Sequence, residues 1–170
     1  METRRVEDIM RLKSELELDA SLVEPLVVSN RRAEERIAHG SSDELDYAAL
    51  GYTIHNIYGC VENTCYRISK FFENGLSRDS WQKDLLSRMI LDIQGVRPRF
   101  FSHEENLVWD EIRAFRHVFR NLYNRPFDSE RLMLLQKNVP GAVGSYTRGV
   151  KRYLDFLDVL ASELESYERT

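Results

Sequence analysis

Cysteine, proline and glycine are all scarce in this chain of 170 residues, at two, four and eight residues respectively. Two cysteines exclude a disulfide-stapled scaffold, and so little proline and glycine excludes collagen-like or low-complexity sequence. Long apolar runs are missing too. No stretch approaches the roughly 18 consecutive apolar residues of a membrane span, and the opening METRRVEDIM is acidic where a secretory leader would be apolar. The expected location is therefore the cytoplasm. Period-2 alternation is almost absent, which excludes a core built from strands.

What is present is 42% hydrophobic and 31% charged residues, with 24 Lys+Arg against 28 Asp+Glu and a net charge of −4. That composition fits one globular domain spanning 1–170, long enough to bury a core without a metal. Cys60 and Cys65 lie five apart in a helical-looking segment and so point in different directions. They read as buried, reduced thiols rather than a disulfide or a metal site. No metal or cofactor is expected.

Apolar residues recur with a 3.6-residue period, which predicts an all-α bundle of four to five helices. The first runs from about Arg4 to Ala38, with a kink or break expected at Pro25, and ends at His39-Gly40. Ser41-x-x-Glu44 reads as a capping box opening the second helix. That helix carries the clearest stripe, Tyr47, Leu50, Ile54, Ile57, Val61, Ile68 and Phe72, and Asn74-Gly75 should stop it. A shorter helix from Ser80 to about Asp92 precedes a loop at Gly95-Val-Arg-Pro-Arg99. Ser102-x-x-Glu105 predicts a second capping box and a helix to about Asn124, before Pro126. Asp128 should cap the final segment, which Pro140-Gly141 interrupts before it resumes through Tyr146, Val150, Tyr153, Phe156, Leu157 and Leu160.

The 102–124 helix is two-faced. Val108, Ile112, Phe115, Phe119 and Leu122 form an apolar seam, while Arg113, Arg116, His117, Arg120 and Asn121 fall on the remaining surface. From Ile112 to Phe127 there is no acidic residue but four arginines, Arg113, Arg116, Arg120 and Arg125. Two readings compete: guanidinium forks gathered for an anion such as phosphate, or arginines paired with acids of neighbouring helices. On the second helix Gly51 and Gly59 flank His55 at helical spacing. Glycine inside a helix costs roughly 1 kcal/mol relative to alanine, so this stripe implies the close approach of a helix, a subunit or a ligand. Helix or subunit packing is the favoured cause, with Asn56, Glu62 and Asn63 as polar neighbours at the rim of any site. His39 and His103, at helix ends, read as surface residues.

The run Phe115-Arg116-His117-Val118-Phe119-Arg120-Asn121-Leu122-Tyr123 resembles the HepT-like branch of the HEPN superfamily. So do Gly-Tyr-x-Ile-His-Asn-Ile-Tyr at 51–58, Val-Glu-Asn at 61–63, Arg67-Ile-Ser-Lys-Phe-Phe-Glu73, Trp81, Gly95-Val-Arg-Pro and Trp109-Asp-Glu-Ile-Arg113. The resemblance covers most of the chain and implies a small helical bundle that dimerises. It further implies a metal-independent endoribonuclease, the toxin of a toxin–antitoxin pair, in which two signature helices meet across the dimer. The 2′-hydroxyl of RNA then attacks the adjacent phosphate. The signature is Arg-x4-His-x-Tyr. Arg116 matches its arginine, which stabilises charge on the phosphate, His117 the polar neighbour and Tyr123 its tyrosine.

The histidine position holds Asn121. An amide hydrogen-bonds but does not titrate near neutral pH, so it serves as neither base nor acid. Impaired catalysis follows, whether Asn121 was introduced deliberately or arose naturally. His117, one helical turn before Asn121, is the nearest substitute, either as base or in a positioning role. Tyr123 is implied as the residue that a minimal nucleotidyltransferase antitoxin adenylylates, a rim tyrosine at the dimer contact being the alternative. Arg113, Arg120 and Arg125 would bind RNA, and Gly51, His55, Asn56 and Gly59 would line the dimer contact or the rim of the site. The competing function is a non-catalytic HEPN module that docks a nucleotidyltransferase or RNA through the same arginines. A third is a helical scaffold whose arginines are all paired internally.

Overall fold

The computed structural model describes residues 6–73, 81–122 and 128–168. They form six helices: α1 (Val6–Ala38), α2 (Glu44–Phe72), α3 (Trp81–Met89), α4 (His103–Arg120), α5 (Ser129–Gln136) and α6 (Val139–Glu168). The expected count of four to five was low because the interruption near Pro140 separates two helices rather than denting one. A two-residue turn at Lys137 and Asn138 separates them. The Asn138 carbonyl accepts from Ala142 N (3.0 Å), which leaves Pro140 in the first turn of α6, where its missing N–H is harmless. Among the described residues the one β pairing is an isolated bridge between Ile93 and Arg97.

Helix α2 is the centre, packed against α1, α3, α4 and α5. Its predicted stripe is the reason: Leu50, Ile54, Ile57, Val61, Ile68 and Phe72 are all buried, and Tyr47 is half-buried. Tyr58 and Cys65 join them, so α2 is apolar on more than one face, as a central helix must be. Cys60 and Cys65 are free thiols, and burial raises the pKa of both. Helix α1 runs unbroken through Pro25 and lies along α2 and α6. Two polar networks fix its register. Asn30 and Gln136 exchange amide hydrogen bonds at 2.8 and 3.0 Å, and Asn30 also donates to Thr53 (2.9 Å). Asp19 accepts from Arg67 (2.9 Å), while Thr64 bonds Tyr146 (2.8 Å). Asn30, Gln136, Thr53, Asp19, Thr64 and Tyr146 are buried, with Arg67 half-buried, so leaving one of the buried groups unmatched would cost a desolvated polar group.

Local chemistry sets the turns. Gly40, with φ +95°, closes α1 in a Schellman arrangement, Ser41 N reaching Arg36 O and Gly40 N reaching Ile37 O, both at 3.0 Å. The capping box expected at Ser41 and Glu44 does not form. Asp43 is the N-cap instead, its carboxylate accepting from Leu45 N, and Ser41 Oγ donates to Asp46 (2.6 Å). Asn74-Gly75, the expected stop of α2, lies outside the described residues. Helix α3 ends at Met89, short of Asp92. The following loop is anchored by Arg97, whose fully buried guanidinium donates to Glu73 (Nε–Oε1 2.8 Å) and to the carbonyls of Arg88, Leu91 and Pro98. This knot places the start of α4. There the capping box between Ser102 and Glu105 forms as expected, at 3.1 and 2.8 Å.

Candidate functional site

Helix α4 buries Trp109 and Ile112 and lays Phe115 and Phe119, both half-buried, toward α2. Trp109 is locked by its indole N–H, which donates to Ser145 Oγ at 3.1 Å. The helix ends at Arg120, earlier than the expected Asn124. Asn121 is the C-cap, with φ −108° and ψ 13°, and its side-chain amide donates to the His117 carbonyl at 2.8 Å. That bond satisfies a last-turn carbonyl with no helical partner, and two i→i−3 bonds, Asn121 N to Val118 O and Leu122 N to Phe119 O, tighten the turn. Asn121 and His117 are both exposed. Tyr123 and Arg125 lie outside the described residues.

The arginines divide. Arg116 is turned inward: its Nη1 meets Glu62 Oε2 at 2.6 Å, and its guanidinium carbon lies 5.4 Å from the centroid of the Tyr58 ring. Glu62 is 6% exposed, so this is a buried pair rather than a surface bridge. Arg113 bonds Asp110 one turn earlier at 2.7 Å. Arg120 is exposed and has no ion-pair partner among the described residues. Internal pairing thus accounts for two arginines of the patch, and Arg120 keeps an open guanidinium.

The glycine stripe divides as well. A Cβ on Gly51 would stand 2.7 Å from Phe119 Cε2, so α4 is the close neighbour that this glycine admits. Among the described residues a Cβ on Gly59 would meet nothing within 4 Å. Asn56 donates to the carbonyl of Tyr52 on its own helix (2.8 Å), not across the seam. His55 packs on Phe119 with ring centroids 5.9 Å apart. Burial first, then the charges of Arg116 and Arg120, hold its imidazole pKa below the ordinary value. His117 shares the sequence neighbourhood of Arg116 but faces solvent, whereas His55 shares its seam.

Four buried atoms of this seam have no hydrogen-bond partner among the described residues: His55 Nδ1, Tyr58 OH, Glu62 Oε1 and Arg116 Nε. Such groups are rare in folded proteins, and their concentration in one place marks a polar cluster in an apolar setting. Burial, then the Glu62 charge, raises the pKa of Tyr58 and keeps its hydroxyl protonated. Tyr58 is the residue that sequence reasoning left without a role, and Glu62, read there as a rim neighbour, is the partner of Arg116. The available signal was spacing, because His55, Tyr58 and Glu62 stand at i, i+3 and i+7 and therefore share one face of α2. Among the described residues no group of three or more His, Cys, Asp or Glu is placed to hold a metal ion. None of the described helices is long and apolar enough to cross a membrane.

The described residues form a helical bundle in which α4, with Arg116 paired to Glu62 and Asn121 at its C-terminal cap, packs against the central helix α2. The family described as HepT-like protein matches residues 49–157, which run from early α2 through α3, α4 and α5 into α6. The chain belongs to this HepT-like family of the HEPN superfamily. Comparisons with curated proteins and with solved structures find no match.

Proposed function

We propose that this HepT-like chain is the toxin half of a toxin–antitoxin pair, an RNA-directed protein whose cleavage chemistry is crippled at one position. One observation carries the reading: Arg116 is anchored at the α2/α4 seam by Glu62, and Asn121 stands five residues on, where the family motif has histidine. Residues 1–170 act as a single domain that pairs with a second copy in the cytoplasm and brings two α4 helices together over RNA. There the 2′-hydroxyl attacks the adjacent phosphorus and the bond to the 5′ oxygen breaks. The products are a 2′,3′-cyclic phosphate and a 5′-hydroxyl. Arginine offsets charge on the phosphoryl oxygens, but the 2′ proton must leave and the 5′ oxygen must gain one. Asn121 does neither. Positioned acid–base catalysis is typically worth about 10²- to 10⁴-fold, which sets the expected deficit.

Tyr123, beyond the described residues, is the position at which a nucleotidyltransferase antitoxin would attach AMP. The added phosphate would compete with RNA for the arginines. A second reading has its own support: the Asn121 amide is occupied by the His117 carbonyl and Arg116 is already neutralised, as suits a non-catalytic docking module. Induced expression of this chain beside Asn121→His separates the two. Growth arrest and fragmented total RNA in the histidine form alone support the disarmed toxin, and silence in both supports the docking module.

A further inference from the structure

The most unusual group in the seam is His55. Its ring rests on Phe119, and its Nδ1 is buried with no acceptor or donor in reach. A proton on Nδ1 would be a desolvated, unpaired N–H, so the neutral ring carries its proton on Nε2. Nε2, unlike Nδ1, is not among the buried unpartnered atoms of this half-buried side chain, and it makes no hydrogen bond among the described residues. Two cations border it, Arg116, committed to Glu62, and Arg120, uncommitted. Their field opposes protonation of the ring and attracts anions to the same place. The result is a fixed, uncharged N–H donor beside an open guanidinium.

We infer that His55 is a phosphate ligand: its Nε2–H, held outward beside Arg120, donates to a phosphodiester oxygen of single-stranded RNA, and it works as a neutral donor rather than a base. The assignment rests on the RNA-directed reading above and adds to it a contact from α2, outside the signature helix. A structural role for His55 is a poor account of the same geometry. Leucine at this position would keep contact with Phe119 and remove the unpartnered nitrogen, so a merely structural histidine would be improved by its loss.

The test is fluorescence anisotropy with a short fluorescein-labelled oligouridine on the full chain, comparing wild type, His55→Leu, His55→Gln and Arg120→Ala, with the melting temperature of each. A side-chain amide of glutamine reproduces an Nε2–H donor but not an imidazole base. The expected result is weaker binding by on the order of tenfold for His55→Leu, the scale of a lost hydrogen bond to a charged group. Its melting temperature should not fall, and His55→Gln should restore affinity. Arg120→Ala should also weaken binding, which reports on the RNA-directed reading separately. If Arg120→Ala loses affinity and His55→Leu does not, the His55 assignment fails and the reading stands. Binding lost equally in the Leu and Gln variants, or lost together with stability, also overturns the assignment. If wild type does not bind the probe, both fail.

Discussion

Replacing Arg116 by alanine should damage the fold as well as any chemistry. The substitution strands the Glu62 carboxylate, which is 6% exposed, has lost its 2.6 Å partner, and already holds one oxygen without a hydrogen bond. Removing one member of a buried ion pair costs about 3–5 kcal/mol. For a chain of this length each kcal/mol moves Tm by about 2–4 °C, so the expected loss is roughly 6–20 °C. Removing both charges with apolar side chains of similar volume, Arg116→Met with Glu62→Leu, should recover most of that loss. The assay is a double-mutant cycle in urea, followed by circular dichroism at fixed protein concentration, on wild type, the two single variants and the pair. A strongly non-additive cycle is expected. If Arg116→Ala costs less than about 1 kcal/mol, or if the two changes simply add, the pair behaves as a solvated surface bridge and the account of the seam is wrong. One practical consequence is that Arg116→Lys, which keeps a cation against Glu62 but loses the bidentate fork, is the better probe of function.

Gly51→Ala should destabilise the chain by about 1–3 kcal/mol, because its Cβ would sit 2.7 Å from a Phe119 ring carbon, and Phe119→Leu should relieve the cost. Gly59→Ala meets nothing among the described residues and should stabilise the monomer by roughly 1 kcal/mol through helix propensity; sedimentation of the same variant would reveal a partner copy on that face as weakened self-association. His55 gives a pH signature. Its folded pKa lies below the model-peptide value near 6.5, so the folded state binds fewer protons than the unfolded one. Its contribution is intact above that value and is lost as pH falls from about 6.5 toward the folded pKa. His55→Leu should flatten this limb in urea midpoints taken between pH 5 and 8, and an unchanged limb would contradict the burial of the ring.

Periodicity made the helices legible because it reports burial directly, and α2 packs every residue of its predicted stripe. Punctuation was less reliable where several polar residues competed for one helix end. Ser41, Asp43 and Asp46 all offer oxygens near the start of α2, and the cap fell to Asp43 because Arg36 and Ser41 both bond Asp46. The end of α4 turned on a single amide. Pro126 bounded the helix, but the bond from Asn121 to the His117 carbonyl stopped it sooner. The arginine patch showed the limit of charge counting, since the acid that engages Arg116 lies 54 residues away in sequence on another helix. A pairing of that kind comes from how α2 and α4 pack, which no single stretch of sequence encodes. The anchoring of Arg97 by Glu73, which sets the loop before α4, escaped notice for the same reason.

The most direct test of the central claim is cleavage of RNA in EDTA by the purified chain and by Asn121→His, with the ends of the fragments identified. The account predicts that the histidine form cuts faster by about 10²- to 10⁴-fold and leaves 2′,3′-cyclic phosphate and 5′-hydroxyl ends, and that Arg116→Lys in that background is silent. A histidine form that is inert, or one that cuts no faster than the chain with Asn121, would contradict it.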